Sequence, residues 1–318
     1  MKERIERLPP KHWAVFTPEK VSSAKSLRPR TDDIFVCTYA KSGTTWIQHI
    51  VHLLLGKTVY DELHTRNGSV NALSNGEKAL FTVSPMIESF GASFVDAMES
   101  PRILKSHLSY ADIPKGGGAK YIYACRNPKD CLTSFFHHHR NLKVFDFENG
   151  SFDLFFDLFM DGKVAVGDYF DHLNSWLEGI SMQNEQILFL KYEDMVTDLR
   201  SAVIKIAEFI GGKALELVKD EQQLAKILDA SSLESMKVNQ SRWVPDKWQR
   251  GEFIRKGGSR NWKEHFSFEQ SLRLDKLFRQ RCGDTAAAEW WRSEMAWNDE
   301  QKLVSRPAEA VTYHASKL

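Results

Sequence analysis

The stretch from Ile34 to Leu55 constrains the fold of this chain more than any other. A β-branched and aromatic run, Ile34 to Tyr39, ends at the small-residue turn Ala40-Lys41-Ser42-Gly43. From Thr44 the apolar residues recur with helical spacing, and Gly56 stands where a glycine commonly ends a helix. The pattern predicts a strand, a tight loop and a helix in direct succession.

Such a unit is suited to bind an anion. The N–H groups of the loop and of the helix N-terminus point at one place, the helix dipole favours negative charge there, and Lys41 adds a positive charge. The unit differs from the nucleotide-binding P-loop, whose lysine follows the last glycine, because Lys41 precedes Gly43. An ordinary strand–helix turn with a surface lysine remains an alternative for this stretch taken alone.

Length and charge set the frame. The 318 residues allow one large α/β domain or two small ones. We predict a single domain over 1–318, with a wrapped N-terminal segment at 1–30 and a polar tail at 298–318. The net charge of +1 provides no bulk attraction to nucleic acid or to a membrane, so anion binding must be local.

Neither a signal peptide nor a membrane span is expected from the sequence, which favours a cytoplasmic protein. The four cysteines (Cys37, Cys125, Cys131 and Cys282) form no C-x-x-C pair and are predicted to be reduced and mostly buried. The final residues, Ser316-Lys317-Leu318, match a peroxisomal address, which is kept as a minor alternative.

Three further strands are predicted, and each is followed by a polar residue. They are Arg102–Ser106, Lys120–Cys125 and Gln186–Leu190, followed by His107, Arg126 and, after Lys191, Tyr192. Strands that alternate with helices predict a parallel sheet, and ligands bind outside the carboxyl ends of such strands. We therefore expect these residues to converge with Lys41.

The remaining segments give coarser predictions. Residues 57–101 read as a long irregular loop whose apolar side chains could line a pocket, and 238–260 as a basic flexible lid. A helical region is predicted over Phe152–Trp176, and helices are predicted from Pro128 towards His139, after Asp194 as far as Ile210, over Ser267–Cys282 and over Ala286–Trp297. The run His137-His138-His139 is not predicted to bind a metal, because consecutive helical side chains point about 100° apart.

Five motifs resemble those of the cytosolic sulfotransferases in order and spacing, between about Thr31 and Trp291. They are Tyr39 to Trp46, Lys105-Ser106-His107, Arg126 to Asp130 with Ser134, Tyr192 to Met195, and Arg255-Lys256-Gly257. The resemblance implies a central, mainly parallel sheet flanked by helices and transfer of sulfonate from 3′-phosphoadenosine 5′-phosphosulfate (PAPS) to a hydroxyl or amine. Ala40 departs from the family, which usually has proline there.

The resemblance also implies the donor site. The phosphosulfate is expected on Lys41, Ser42, Gly43, Thr44 and Thr45, and adenine on Trp46. The 3′-phosphate is expected on Arg126, Ser134, Arg255, Lys256 and Gly257, with Tyr192 as a further nucleotide contact. Ser231-Ser232-Leu233 best matches a Ser/Thr-Ser-Phe segment that closes the adenine site, although Leu233 lacks the aromatic ring.

His107 is the candidate general base, because imidazole titrates near neutrality. Lys41 is expected to stabilise the leaving phosphate oxygen and Lys105 the sulfonyl oxygens, without a metal. The resemblance implies that Ser134 holds Lys41 away until the acceptor arrives. A buried structural histidine is the alternative for His107 alone.

The resemblance implies a hydrophobic acceptor pocket around Phe16, Phe81, Phe136, His138 and Phe145, with Lys105 and His107 at the reacting end. It favours small phenols, catecholamines or steroid-like alcohols. The family's dimerisation segment begins at Lys263, but Ser267, Phe268 and Leu272 replace Thr, Val and Glu, so monomer and homodimer both stay open.

Three other functions are compatible with parts of the pattern. A P-loop kinase would need the missing Gly-Lys-Ser/Thr order. A related enzyme could use transient sulfation to dehydrate its substrate. A protein could also bind PAPS without turnover, although the intact set of Lys41, Lys105 and His107 argues against this.

Overall fold

The computed structural model describes residues 16–56, 80–182, 185–238 and 240–297. Four strands form one sheet in the order β2-β1-β3-β4: β1 Ile34–Thr38, β2 Ile103–Ser106, β3 Lys120–Cys125 and β4 Ile187–Lys191. All three strand pairings are parallel. The predicted α/β fold with a parallel sheet is confirmed.

The register aligns the carboxyl ends of the strands. Cys37 in β1 pairs with Ser106 in β2, Thr38 pairs with Ala124 in β3, and Cys125 pairs with Lys191 in β4. The residues that follow the four strands therefore emerge at one edge of the sheet.

Helices of very different length connect and surround the strands. They are α1 Pro18–Lys25, α2 Thr44–Leu54, α3 Leu80–Val83, α4 Ile87–Phe90, α5 Ala92–Asp96, α6 Pro128–Asn141, α7 Phe152–Met160, α8 Tyr169–Ser181, α9 Tyr192–Thr197, α10 Leu199–Ile210, α11 Gly212–Lys219, α12 Glu221–Ala230, α13 Leu233–Lys237, α14 Phe268–Cys282 and α15 Arg292–Met295. Short 3₁₀ turns cover Lys143–Phe145, Gln240–Arg242, Asp246–Trp248, Asn261–Glu264 and Ala286–Glu289.

The sheet is buried on both faces, because alternate strand residues enter two different hydrophobic clusters. Phe35 and Tyr123 pack with α6, α7 and α8 on one face, whereas Val36 and Ile122 pack with α2 and α10 on the other. All five residues of β1 are buried. Burial on both faces explains why the strands read as continuous apolar runs.

Several predicted helices are interrupted where an aspartate starts a new one. The helical region predicted over Phe152–Trp176 consists of two helices: α7 stops at Met160, and the side chain of Asp168 caps α8 by accepting from the N–H groups of Phe170 and Asp171. Asp198 likewise caps α10 through the N–H of Ser201 and separates it from α9. Aspartate is among the preferred N-cap residues, which is why a new helix begins at each of these positions.

The long loop predicted over 57–101 also needs correction. Its described part, 80–101, contains α3, α4 and α5, and the predicted helix Ala286–Trp297 is a 3₁₀ turn followed by α15. All four cysteines are buried and free. Within the described ranges, no helix combines the length and apolarity required to cross a bilayer. Predictions for residues 1–15, 57–79 and the tail with Ser316-Lys317-Leu318 fall outside the described residues.

Candidate active site

A cavity of about 520 Å³ opens at the carboxyl edge of the sheet. The residues after the strands line it together, as expected: Lys41, His107, Arg126 and Tyr192. Lys105, Ser134 and the segment 252–258 complete much of the remaining wall. The structure thus brings together groups from four strand ends, from α6 and from residues 252–258, called here the basic segment.

The loop between β1 and α2 bends through two left-handed residues. Lys41 has φ +70° and Gly43 has φ +93°. A Cβ atom at position 43 would lie 3.0 Å from Cδ2 of Tyr192, so only glycine fits both the conformation and the space. The hydroxyls of Thr38 and Thr44 lie 2.6 Å apart and tie the strand end to the first turn of α2.

The Lys41 amine lies among other cations. Burial, followed by the nearby Lys105 and Arg126, lowers the pKa of Lys41 to about 7. Its Nζ lies 3.5 Å from Nδ1 of His138 and 4.6 Å from the centre of the Phe253 ring. An anion placed here would favour the charged lysine, because an opposite charge raises its pKa.

His107 is oriented by the backbone of β1. Its Nδ1 lies 2.7 Å from the carbonyl oxygen of Thr38, and the carbonyl can only accept, so Nδ1 carries the hydrogen and Nε2 keeps a lone pair. Burial, together with Lys105, holds the pKa of His107 well below its usual value. The imidazole is therefore neutral at neutral pH, the form that can accept a proton.

Glu88 is a site residue that sequence reasoning missed. Its side chain is buried, and Oε1 accepts from the Ser106 hydroxyl at 3.0 Å and from the backbone N–H of His107. Burial raises the pKa of the Glu88 carboxyl group. Burial also lowers the pKa of the Lys105 amine to about 8, and the nearby charge of Glu88 partly offsets this lowering. The available signal was one acid within the apolar run Met86 to Phe90.

Arg126 joins the first loop to the basic segment. Its guanidinium donates to the carbonyl of Lys41 at 3.2 Å and to that of Gly258 at 3.0 Å, and lies 4.3 Å from the Tyr192 ring centre. Its buried Nε has no hydrogen-bond partner among the described residues. Arg255 and Lys256 line the same part of the cavity, where Lys256 pairs with Glu264.

Asp130 holds the basic segment in place. Its carboxylate accepts from the N–H of Arg260 at 2.6 Å, the N–H of Trp262 at 3.1 Å and the hydroxyl of Ser259 at 3.0 Å. The sequence pattern named Asp130 as part of a motif without giving it this role. The carboxylate fixes the turn that follows Arg255-Lys256-Gly257.

Trp46 also lines the cavity. Its Nε1 donates to the carbonyl of Ser231 at 2.7 Å, and its ring meets Tyr192 edge-on at 5.8 Å. Ser232 and Leu233 line the cavity, as do Thr44 and Thr45. Ser231 and Ser42, also expected at the donor site, are fully buried and are not among the residues that line the cavity.

The expected acceptor residues separate into two groups. His138 lines the cavity, whereas Phe16, Phe81, Phe136 and Phe145 do not. Phe136 is buried against Phe152, with ring centres 5.3 Å apart. Ser134 and His138 share a helix face because they are four residues apart, and Phe136 points elsewhere. Phe145 stacks on His139 at 4.0 Å, Phe81 packs on Phe90 and Trp248, and Phe16 is half-buried.

Apolar side chains at the cavity include Met236, Phe253 and Ile254. Sequence reasoning missed these three because they lie in or beside the segment predicted as a basic lid. Neighbouring His137 has its Nε2 2.9 Å from Nε2 of His265. Across the described part of the chain, no three His, Cys, Asp or Glu side chains form a group that could hold a metal.

Comparison with known proteins places this geometry in a family. The profile of the sulfotransferase domain matches residues 31–286. The chain is 33% identical to human sulfotransferase 1C2 over 85% of its length and 90% of that protein, and 35% identical to rabbit amine sulfotransferase over 80% and 82%.

A solved structure agrees with the sequence relatives. Mouse sulfotransferase SULT7A1 was crystallised with PAP, the desulfonated form of PAPS. It superposes with a TM-score of 0.69 at 26% identity, covering 89% of this chain and 96% of the other. The resemblance inferred from the five motifs is confirmed. The chain belongs to the sulfotransferase family and is an enzyme of the PAPS-dependent sulfotransferase class.

Proposed function

We propose that this cavity binds PAPS and transfers its sulfonate to the hydroxyl or amine of a small, mostly hydrophobic acceptor, with His107 as general base. The observation that carries the proposal is the meeting of Lys41, Lys105 and His107 with a second basic group, Arg126 and Arg255, in one cavity. PAPS carries a phosphosulfate and a separate 3′-phosphate, so it needs two cationic sites. The PAP held by the mouse structural neighbour supports the same ligand class.

The chemistry follows from these positions. The acceptor oxygen or nitrogen attacks sulfur, the bond from sulfur to the bridging phosphate oxygen breaks, and Nε2 of His107 takes the acceptor's proton. Lys41 donates to the leaving phosphate oxygen and Lys105 to the sulfonyl oxygens, where negative charge is stabilised in the transition state. The products are PAP and the sulfated acceptor.

The 3′-phosphate is assigned to Arg126, Ser134, Arg255, Lys256 and the N–H of Gly257. A guanidinium fork suits a phosphate, and the buried Nε of Arg126 is a donor without a described partner. Adenine is assigned to the space between Trp46 and Leu233. Tyr192, which neighbours Trp46, is assigned to the loop between β1 and α2, where the phosphosulfate would bind.

The acceptor class is inferred from the wall. Phe253, Ile254 and Met236 give it apolar contact, and His138 gives it one polar contact. This supports phenols, catecholamines or steroid-like alcohols, and the rabbit amine sulfotransferase among the relatives supports testing amines as well.

The test is transfer of labelled sulfonate from PAPS to a panel of phenols, catecholamines, sterols and amines by wild type and His107→Asn. Asparagine keeps a donor for the Thr38 carbonyl but has no basic nitrogen at the Nε2 position. We expect transfer to fall about 10²- to 10⁴-fold, the usual contribution of a general base, with PAP affinity kept.

Each of four other outcomes would contradict a part of the proposed function. Full transfer by His107→Asn would remove the base assignment. An alkene in place of a sulfated product would indicate dehydration, and PAP binding without any turnover would indicate a non-catalytic binder. If wild type does not bind PAP, the proposed donor site is wrong.

A further inference from the structure

His137 and His265 meet across a contact that none of the sequence motifs includes. His137 lies on α6, and His265 directly follows the 3₁₀ turn Asn261–Glu264, so 128 residues separate the two in the chain. Their Nε2 atoms lie 2.9 Å apart. His137 also lines the cavity, whereas His265 does not. The pair therefore joins α6 to the chain that follows the basic segment, beside the cavity.

The contact has two chemical interpretations. In the first, one Nε2 carries a hydrogen and donates it to the other. In the second, both Nε2 atoms keep their lone pairs and share a metal ion. The ring planes of His137 and His265 meet at 69° with their centres 4.7 Å apart, which is shorter than an end-to-end approach of two imidazoles would give. Such an angled approach disfavours the hydrogen bond, which prefers a nearly straight N–H···N geometry. It suits two rings that ligate one ion.

The distance between the two nitrogens also discriminates between metals. Imidazole nitrogens bind first-row metal ions at about 2.0–2.1 Å, so two that ligate at a right angle lie about 2.9 Å apart and two at a tetrahedral angle about 3.3–3.4 Å apart. The 2.9 Å between His137 and His265 fits the right angle. Right-angled nitrogen and oxygen ligands are typical of tetragonal Cu²⁺ and Ni²⁺ sites, whereas Zn²⁺ prefers the tetrahedral arrangement.

Both rings are in the protonation state that a metal requires. A ligating imidazole nitrogen must be free of its proton, because the ion takes its lone pair. Burial, followed by the charge of Arg255, lowers the pKa of His137 to about 4, and burial also lowers the pKa of His265. Both imidazoles are therefore neutral near pH 7, and protons do not compete with an ion there.

The remaining coordination positions fall to water. Among the residues that the structure describes, no third His, Cys, Asp or Glu completes a ligand group with the pair. Both side chains are half-buried, so water reaches them. The charges that act on His265 are of both signs, since Glu264 favours a cation there and Arg255 and Lys256 disfavour one. These neighbours and a set of two protein ligands predict an ion that exchanges with solution.

We propose that His137 and His265 bind a divalent transition-metal ion, Cu²⁺ or Ni²⁺, at two right-angled positions of its coordination sphere. One histidine of the run His137-His138-His139 thus finds its partner on a distant segment, which no pattern within the run indicates. The bound ion joins α6 to the chain after the basic segment. The inference goes beyond the proposed function and does not depend on it, because neither ligand is assigned to sulfonate transfer.

The test is binding of Cu²⁺ to the full, untagged chain near pH 7. Electron paramagnetic resonance detects the nitrogens that ligate Cu²⁺, and calorimetry measures its Kd. All four cysteines are buried, which limits reduction of the ion by thiols. His137→Gln and His265→Gln each keep a polar amide near the Nε2 position but remove the imidazole nitrogen. His314→Gln makes the same exchange elsewhere in the chain and is the matched control.

We expect wild type to bind one Cu²⁺ through two imidazole nitrogens. Loss of even an outer-shell partner of a metal ligand usually weakens binding about 10- to 100-fold, so loss of a ligand should raise the Kd at least about tenfold. His137→Gln and His265→Gln should therefore each lose the two-nitrogen signal, and His314→Gln should keep both the signal and the wild-type Kd.

A two-nitrogen signal that persists in His137→Gln or in His265→Gln would overturn the inference. Its absence from wild type, or its loss in His314→Gln as well, would do the same. Urea unfolding without metal shows beforehand that each variant is folded, and His137→Asn or His265→Asn takes the place of a glutamine variant that is not. Sulfonate transfer is measured separately, so the result for the metal leaves the proposed function untouched.

Discussion

At the scale of single residues, we expect Lys41 to make donor binding depend on pH. The pKa of Lys41 is lowered to about 7, mainly by burial, and a bound phosphate would raise it again. Between these two values binding takes up a proton, so affinity falls as pH rises above about 7. We expect the Kd for PAP to rise by up to about tenfold per pH unit between pH 7 and 9.

Calorimetry in two buffers of different ionisation enthalpy measures both the Kd and the proton uptake. Lys41→Arg keeps the charge at every pH used, because a guanidinium does not titrate there, so its Kd should depend less on pH. Lys105 has a pKa of about 8 and titrates in the same range, which makes Lys105→Arg the matched variant. A wild-type Kd that stays constant from pH 7 to 9 would contradict this account.

The residues that sequence reasoning could place are those fixed by local order. His107 and Arg126 directly follow β2 and β3, and Lys41 lies three residues after β1, so predicting the strands also predicted where these side chains emerge. Phe136 was misplaced because the face that a helical residue presents depends on the partners of the helix, which no local pattern gives. Glu88 was missed because its role depends on a strand that comes later in the chain.

At the scale of elements, Asp130 couples α6 to the basic segment. Its carboxylate is buried and accepts from Ser259, Arg260 and Trp262. In Asp130→Asn one oxygen becomes an N–H₂ group that faces donors. We expect a loss of about 2–3 kcal/mol in the free energy of unfolding, measured in urea, and weaker PAP binding because Arg255 and Lys256 lose their support.

Asp194→Asn is the matched control for this substitution. The side chain of Asp194 is 63% exposed and forms an ion pair of 3.2 Å with Lys191. An exposed ion pair contributes at most about 1 kcal/mol, so the control should remain close to wild type in stability. Equal losses in both variants, or an unchanged PAP affinity in Asp130→Asn, would contradict the coupling.

The boundaries of helices and strands show the same contrast between those marked by local sequence and those fixed by other features of the fold. The strands and α14 were predicted nearly to the residue, since apolar runs and a Ser267 cap mark them locally. The division of 152–176 into α7 and α8 was not predicted. Apolar side chains on both segments continue the helical pattern, and the break is fixed by the Asp168 cap and by Gly162 at φ +67°.

At the scale of the whole molecule, the proposed donor site is built from distant parts of the chain. Lys41, Arg126, Tyr192 and Arg255 come from four separate segments and meet only in the folded state. The unfolded chain therefore offers no such site, and PAP should stabilise the folded protein by mass action. At a free PAP concentration of 100 times the Kd, we expect about 2.7 kcal/mol of added stability in urea unfolding, and about 1.4 kcal/mol more for each further tenfold.

Two arginine variants show whether the fork of Arg126 carries this effect. Arg126→Lys keeps the charge but loses the planar guanidinium, so at a fixed PAP concentration its added stability should shrink. Arg273→Lys makes the same exchange at a half-exposed residue of α14 that pairs with Asp157 at 3.0 Å and does not line the cavity. It should keep the full wild-type increment. An increment that is equal in the two variants would mean that PAP does not engage Arg126. A wild-type stability that does not change with PAP would mean that the cavity does not bind it.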